Sequence, residues 1–174
     1  MSRAFVKEQD GDPGDEPLPP DSAHPLYVTP DGLAALQARA GDLAAGLEGR
    51  KPPGEPAAAE HYRREKREWR ILERKLARAL LVDPAQAPGD VVAFGHWVRV
   101  EDDEGEEALY RIVGEDQAEP ARGWISWLSP LAQALTGAAV EDRVVWRRPI
   151  GDLALTITGI AASPPLEEQG SQAY

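Results

Sequence analysis

The sequence contains no cysteine, so a disulfide framework, a thiolate nucleophile and a Cys-based zinc site are all excluded. Histidine is nearly as scarce: His24, His61 and His96 lie far apart without metal-ligand spacing, which argues against a zinc centre. No apolar run approaches the ~20 residues of a membrane span. The opening "MSRAFVKEQDGD" also lacks the apolar core of a signal peptide. The expectation is a soluble, cytoplasmic protein with no membrane partner. Basic residues are in the minority, 19 against 30 acids, for a net charge of −11. Strong unaided binding to free duplex DNA is not expected of such a chain, because phosphate contact needs a cationic face. A length of 174 residues allows one ordinary domain, or a small domain with a helical appendage.

What is present divides by texture. Residues 1–26 hold five prolines and many acids but scarcely any large apolar side chain, too little burial to offset the entropy of ordering. This arm is expected to be disordered, either a solubilising extension or a partner-binding arm. A helical pattern follows. Thr29 suits an N-cap and Pro30 the first helical position, and Leu33, Leu36, Ala40, Leu43 and Leu47 recur at steps of three and four. Gly49, Pro52, Pro53, Gly54 and Pro56 turn the chain. A second helix then carries Tyr62, Trp69, Leu72, Leu76 and Ala79 on one seam, interrupted by Glu65. Two such helices joined by a short Pro/Gly connection predict an antiparallel coiled-coil hairpin over residues 27–83; a helical pair packed on a core is the alternative.

The second helix has a charge of its own sign. From Glu60 to Arg78 there are eight bases and four acids, a net of +4, which leaves −15 for the rest of the chain. Arg63, Arg64, Arg67 and Arg70 form a candidate patch for RNA or an acidic protein surface. A solvated face neutralised by neighbouring glutamates reads equally well.

After a proline-rich linker at 84–90, the periodicity becomes strand-like over residues 91–162. "VVAFGHWVRV", "EALYRIV", "GWISW", "DRVVWRRP" and "LALTITGI" predict five short strands with antiparallel signals, covered by one helix. Residues 163–174 read as a flexible tail. The covering helix lies in "WISWLSPLAQALTG": Ser129 can cap it, Pro130 can fill its first turn, and Gly137 can close it in a left-handed conformation. Leu131, Ala134 and Leu135 are the expected core face. The uncharged first turn suits docking onto another protein, although capping alone explains the same residues.

"YVTPDGL", "VVAFGHWVRVEDDEGEEALYRIVGEDQAEP", "ISWLSPLAQALTG" and "VEDRVVWRRPIGD" together resemble the GreA/GreB family of bacterial transcript cleavage factors. The resemblance covers roughly residues 27–160. It implies an α+β protein, with an N-terminal coiled-coil hairpin and a C-terminal antiparallel sheet domain like that of FK506-binding proteins. It also implies binding to RNA polymerase: Ser129, Pro130, Leu131 and Ala132 would meet the β′ coiled coil at the rim of the secondary channel. Gln133 stands where the family often carries Arg.

The hairpin tip departs from the family pattern "GDLSENAEY", whose Asp and first Glu help hold a second magnesium ion in the polymerase active centre. Here the matching stretch is "GEPAAAEHY", residues 54–62. Glu55 falls at the Asp position, or Glu60 serves by a shifted alignment, while Ala58 replaces the first Glu and supplies no metal-binding oxygen. Each arm is also short of the family pattern by roughly eight residues, or ~12 Å of helix. By this resemblance the chain is a monomeric secondary-channel factor that modulates transcription without efficient cleavage, with nascent RNA as a further partner. It is not itself an enzyme and has no cofactor, Mg²⁺ entering only through the polymerase. The alternatives are an active factor that stimulates cleavage of backtracked RNA, and an FKBP-like isomerase or chaperone.

Overall fold

A computed structural model of the chain describes residues 17–165. The first sixteen residues of the expected arm, and the tail from 166 onward, lie outside them. The fold is α+β, and the described residues divide into two compact units, one of residues 35–78 with 17–23, the other of His24–Ala34 with 79–165.

The first unit is helical. α1 (Pro30–Leu47) and α2 (Pro56–Arg78) bury Ala40, Leu43 and Leu72 against each other, with Leu36, Trp69 and Leu76 packed around them. These are the expected seam positions. Arg50 staples the turn: its Nη1 donates to the Gly46 carbonyl at 3.0 Å and to Glu65 Oε2 at 2.9 Å, and its guanidinium lies 5.5 Å from the Tyr62 ring centre. Glu65 interrupts the seam in sequence because it serves this cross-helix pair. Arg39 and Glu68 make a second one, at 2.8 Å.

Part of the segment expected to be disordered is laid along α2. Asp21 Oδ1 lies 3.0 Å from Arg74 Nε and 2.9 Å from Arg78 Nη1. Arg74 Nη2 donates to the Pro19 carbonyl at 2.6 Å and Arg78 Nη2 to the Ser22 carbonyl at 3.1 Å. Charge pairing, which needs no apolar burial, supplies what composition alone did not suggest.

The second unit begins with a ladder that the sequence did not signal: β1 (Leu26–Val28) and β2 (Ala79–Leu81) pair in parallel, Leu26 opposite Ala79 and Val28 opposite Leu81. Beyond it the five expected strands form: β3 (Trp97–Asp102), β4 (Glu107–Val113), β5 (Trp124–Ser126), β6 (Arg143–Trp146) and β7 (Leu153–Ala161). Their order across the sheet is β5-β4-β3-β7-β6. The antiparallel expectation holds for three of the pairings, but β5 runs parallel to β4, Arg111 facing Trp124 and Val113 facing Ser126. The connection explains it. Single 3₁₀ turns at Glu115–Gln117 and Pro120–Arg122, closed by Gly123 at φ 73°, carry the chain back before it pairs.

Val92, Val98, Val100, Ile112, Leu155 and Ile157 form the core, joined by Leu131, Ala132 and Leu135 of α3 (Pro130–Leu135). Ala132 therefore takes the core place expected of Ala134, which is half-buried. The expected linker at 84–90 contributes to this unit as well. Pro84 is buried in a 3₁₀ turn capped by Asp83, and its carbonyl lies 3.2 Å from Nε2 of His96, whose Nδ1 accepts from Ala93 N at 3.2 Å. That pattern places the ring proton on Nε2 and makes His96, 1% exposed, a satisfied core residue.

Candidate functional site

At the hairpin tip both candidate carboxylates have local work. Glu55 precedes α2, and its Oε1 and Oε2 accept from the backbone N–H groups of Ala57 at 3.2 Å and Ala58 at 2.8 Å. It is an N-terminal cap, satisfying donors that a helix start otherwise leaves bare. Glu60, one turn on, accepts from Arg63 Nη2 at 2.7 Å and Arg64 Nε at 3.0 Å. The Arg63 hydrogen bond first, then that of Arg64, holds the Glu60 carboxyl below the usual carboxylate range. The two carboxylates thus serve different partners, Glu55 the amides of the helix start and Glu60 the neighbouring arginines. Among the described residues no group of three or more His, Asp or Glu stands ready for a metal ion.

The basic helix is divided between two kinds of acceptor. Arg63 and Arg64 go to Glu60, whereas Arg67, through Nη2, faces the Pro17 carbonyl at 3.5 Å. Arg70 also has an interaction partner. Arg74 and Arg78, outside the expected patch, continue the line toward Pro19, Asp21 and Ser22. The line of arginines thus extends past the four residues singled out in the sequence, and Arg67, Arg74 and Arg78 contact residues 17–22.

At the start of α3, Ser129 accepts from Ala132 N at 3.2 Å and Pro130 occupies the first helical position. Gly137 follows at φ 85°, and Thr136 Oγ1 donates to the Ala132 carbonyl at 2.7 Å. The four expected docking residues separate here. Pro130 is exposed and Ser129 half-exposed, but Leu131 is 3% and Ala132 0% exposed. A helix of six residues makes under two turns, so its inward face takes the second and third positions. Leu131 and Ala132 cannot offer side chains to a partner; they anchor the turn that displays Ser129 and Pro130. Gln133, exposed, donates from Nε2 to the Leu128 carbonyl at 3.1 Å.

One further constellation escaped the sequence reading. Arg111 of β4 donates from Nη1 and Nη2 to the two carboxylate oxygens of Asp31, both at 2.7 Å. Its guanidinium lies 5.4 Å from the ring centre of Trp97 and 4.9 Å from that of Trp124, with Arg122 4.0 Å from the latter. The Arg111 hydrogen bond holds the Asp31 carboxyl below the usual carboxylate range. Beside this pair, Thr29 accepts at Oγ1 from Gln117 Nε2 at 2.7 Å and from Gly32 N at 3.2 Å. The Thr-Pro-Asp start of α1 is thus fixed by cap, stack and ion pair together, and only the cap had a local sequence signal.

Comparison with known proteins locates the likeness. Residues 87–162 match the family model described as "Transcription elongation factor, GreA/GreB, C-term". The chain is 40% identical over 98 residues to transcription elongation factor GreB of Yersinia pestis, a match covering 56% of this chain and 57% of the relative. To the GreB of Pseudomonas aeruginosa it is 33% identical over 161 residues, covering 84% of this chain and 96% of that one. A solved structure from Nitrosomonas europaea, a prokaryotic transcription elongation factor GreA/GreB, is 26% identical at a TM-score of 0.40, covering 78% of this chain and 98% of its own.

Proposed function

The chain belongs to the GreA/GreB family of transcription elongation factors, and from that premise we propose that it binds RNA polymerase at the rim of the secondary channel and modulates transcription without efficient stimulation of RNA cleavage. The observation that carries this reading is the tip: Glu55 spends both carboxylate oxygens on the Ala57 and Ala58 amides, and Ala58 has no oxygen to add. Two-metal hydrolysis requires carboxylates facing the ion. Each Glu55 oxygen keeps a lone pair beyond its one hydrogen bond, but the cap fixes the carboxylate's orientation against the helix start, and with alanine at position 58 no second acid stands beside it.

Docking falls to the α3 start. Ser129 and Pro130 form a small surface whose position is set by the buried Leu131, Ala132 and Leu135 beneath it, a rigid mount of the kind binding residues need. Its proposed partner is the β′ coiled coil of the polymerase. The basic face of α2 supplies the second contact, with nascent RNA, through guanidinium groups suited to phosphate.

The alternative, an active cleavage factor, is favoured by one observation: Glu55 and Glu60 both sit at the tip and are accessible. Backtracked elongation complexes separate the readings. The expected result is saturable polymerase binding with at most marginal release of 3′ RNA fragments above the level of polymerase alone. Strong cleavage that Glu55→Ala abolishes would reverse the choice.

A further inference from the structure

The α2 arginines and residues 17–22 run in the same direction and at matched pitch. Pro17 lies at Arg67, Pro19 at Arg74, and Asp21 with Ser22 at Arg74 and Arg78. Five extended steps of about 3.1 Å cover ~16 Å, and the helix from Arg67 to Arg78 rises by ~16 Å. Prolines keep such a segment extended without internal hydrogen bonds, so its carbonyls stay available to the guanidinium groups.

The fit is serviceable rather than tight. Three of the acceptors are neutral backbone carbonyls, and one carboxylate, Asp21, is shared between two arginines through the same oxygen. Arg74 Nε, buried beneath the segment, lies 3.0 Å from that oxygen but has no aligned hydrogen bond. The ion pair itself is a third exposed on both sides, 32% at Arg74 and 36% at Asp21, so solvent and salt weaken it. Phosphate oxygens would give each guanidinium a full negative charge and two-point geometry.

We propose that residues 17–22 are a removable cover, an internal competitor occupying the arginine line of α2 until the phosphate backbone of single-stranded RNA displaces it. The proposal rests on the reading of α2 as an RNA-facing surface and adds its regulation: the protein's own acidic arm sets the threshold for RNA engagement. The device suits a chain of net charge −11, because it keeps a +4 helix from gathering polyanions at random.

The test uses the full chain and a fluorescein-labelled twelve-nucleotide oligouridylate. Asp21→Ala and Asp21→Lys are expected to tighten binding by about three- to tenfold at low salt, the loss of two exposed ion pairs. The difference should shrink at high salt, and Arg74→Ala with Arg78→Ala should weaken binding in either background. Equal, arginine-dependent binding by wild type and both Asp21 variants would overturn the cover while leaving the RNA-facing helix standing. No RNA binding by any variant would overturn the RNA-facing helix, and the proposal with it. A spin label placed at Pro19 through Pro19→Cys should broaden the side-chain signals of Arg74 and Arg78 in the free protein, and a label that leaves them sharp overturns the covering contact itself.

Discussion

Asp31 and Arg111, 80 positions apart in the chain, are joined by two hydrogen bonds of 2.7 Å. The carboxylate belongs to the first turn of α1, where negative charge is favoured, and the guanidinium to β4, 8% exposed between two indole rings. Removing the acid takes both of these hydrogen bonds from a mostly buried cation whose Nε already has no hydrogen-bond acceptor. Asp31→Ala should therefore lower stability by ~1–3 kcal/mol. The double variant with Arg111→Met should lose less than the two single losses combined, as urea unfolding of the four proteins would show.

The same pair sets an acid limb. The folded-state pKa of Asp31 is depressed, chiefly by the Arg111 hydrogen bond, so its stabilisation is complete above the unfolded value of ~3.9 and disappears as pH falls through the lower folded value. Thermal midpoints of wild type and Asp31→Asn should differ by a constant amount from pH 7 to 5 and converge below pH ~4. A gap that persists unchanged at pH ~2 would assign the effect to something other than this ionisation.

Pro130→Arg is the informative docking variant. Pro130 is exposed at the first helical position, so the change should leave the melting curve nearly unaltered while weakening polymerase binding in a pull-down or fluorescence titration. Leu131→Ala should instead lower stability by ~2–5 kcal/mol, and any binding loss it causes would report unfolding. Ser129→Ala falls between them, at ~1 kcal/mol for the lost cap.

For the tip, Glu55→Ala should cost ~0.5–2 kcal/mol through uncapping of α2, with no change in transcript cleavage. Ala58→Glu alone should not create cleavage. Ala58→Glu with the acidic family tip and roughly eight added residues in each arm, ~12 Å of reach, should. A gain of cleavage from Ala58→Glu by itself would show that reach is not limiting.

Reversing Arg63 and Arg64 to Glu frees Glu60 from both partners and adds repulsion at adjacent positions. Polymerase or RNA engagement should fall most at low ionic strength and converge with wild type as salt rises. A salt-independent wild-type response would restore the reading of this face as merely solvated.

What was legible in the sequence is what repeats or punctuates locally. The α1 seam through Leu36, Ala40 and Leu43, the caps at Thr29 and Ser129, the left-handed Gly137 and the alternation in β3 and β4 all have periods or turn residues to announce them. Three-residue strands such as β1 and β2 are too short for any period to register. The choice of Ala132 over Ala134 was illegible for a related reason, since a helix of six residues is too short for its periodicity to fix the buried face. Asp31 with Arg111, and Asp21 with Arg74, are long-range pairings of charge, and nothing in either neighbourhood names its partner. The tip was half legible. That position 58 carries no carboxylate could be read directly, while the use of Glu55 as a cap required its backbone to be seen.

The parallel rungs between Leu26–Val28 and Ala79–Leu81 bear on the order in which the chain acquires structure. Joining ends some fifty residues apart through an unstructured loop costs ~3–4 kcal/mol of closure entropy before three short rungs return anything. The helices between them are built from local contacts, which form early. Once α1 and α2 have zipped, the two strands are delivered to each other and most of the closure cost is already met. Folding of the sheet unit should thus be gated kinetically by the hairpin: a Leu43→Ala change should slow the appearance of native tryptophan fluorescence from Trp97 and Trp124, although neither ring belongs to the helices.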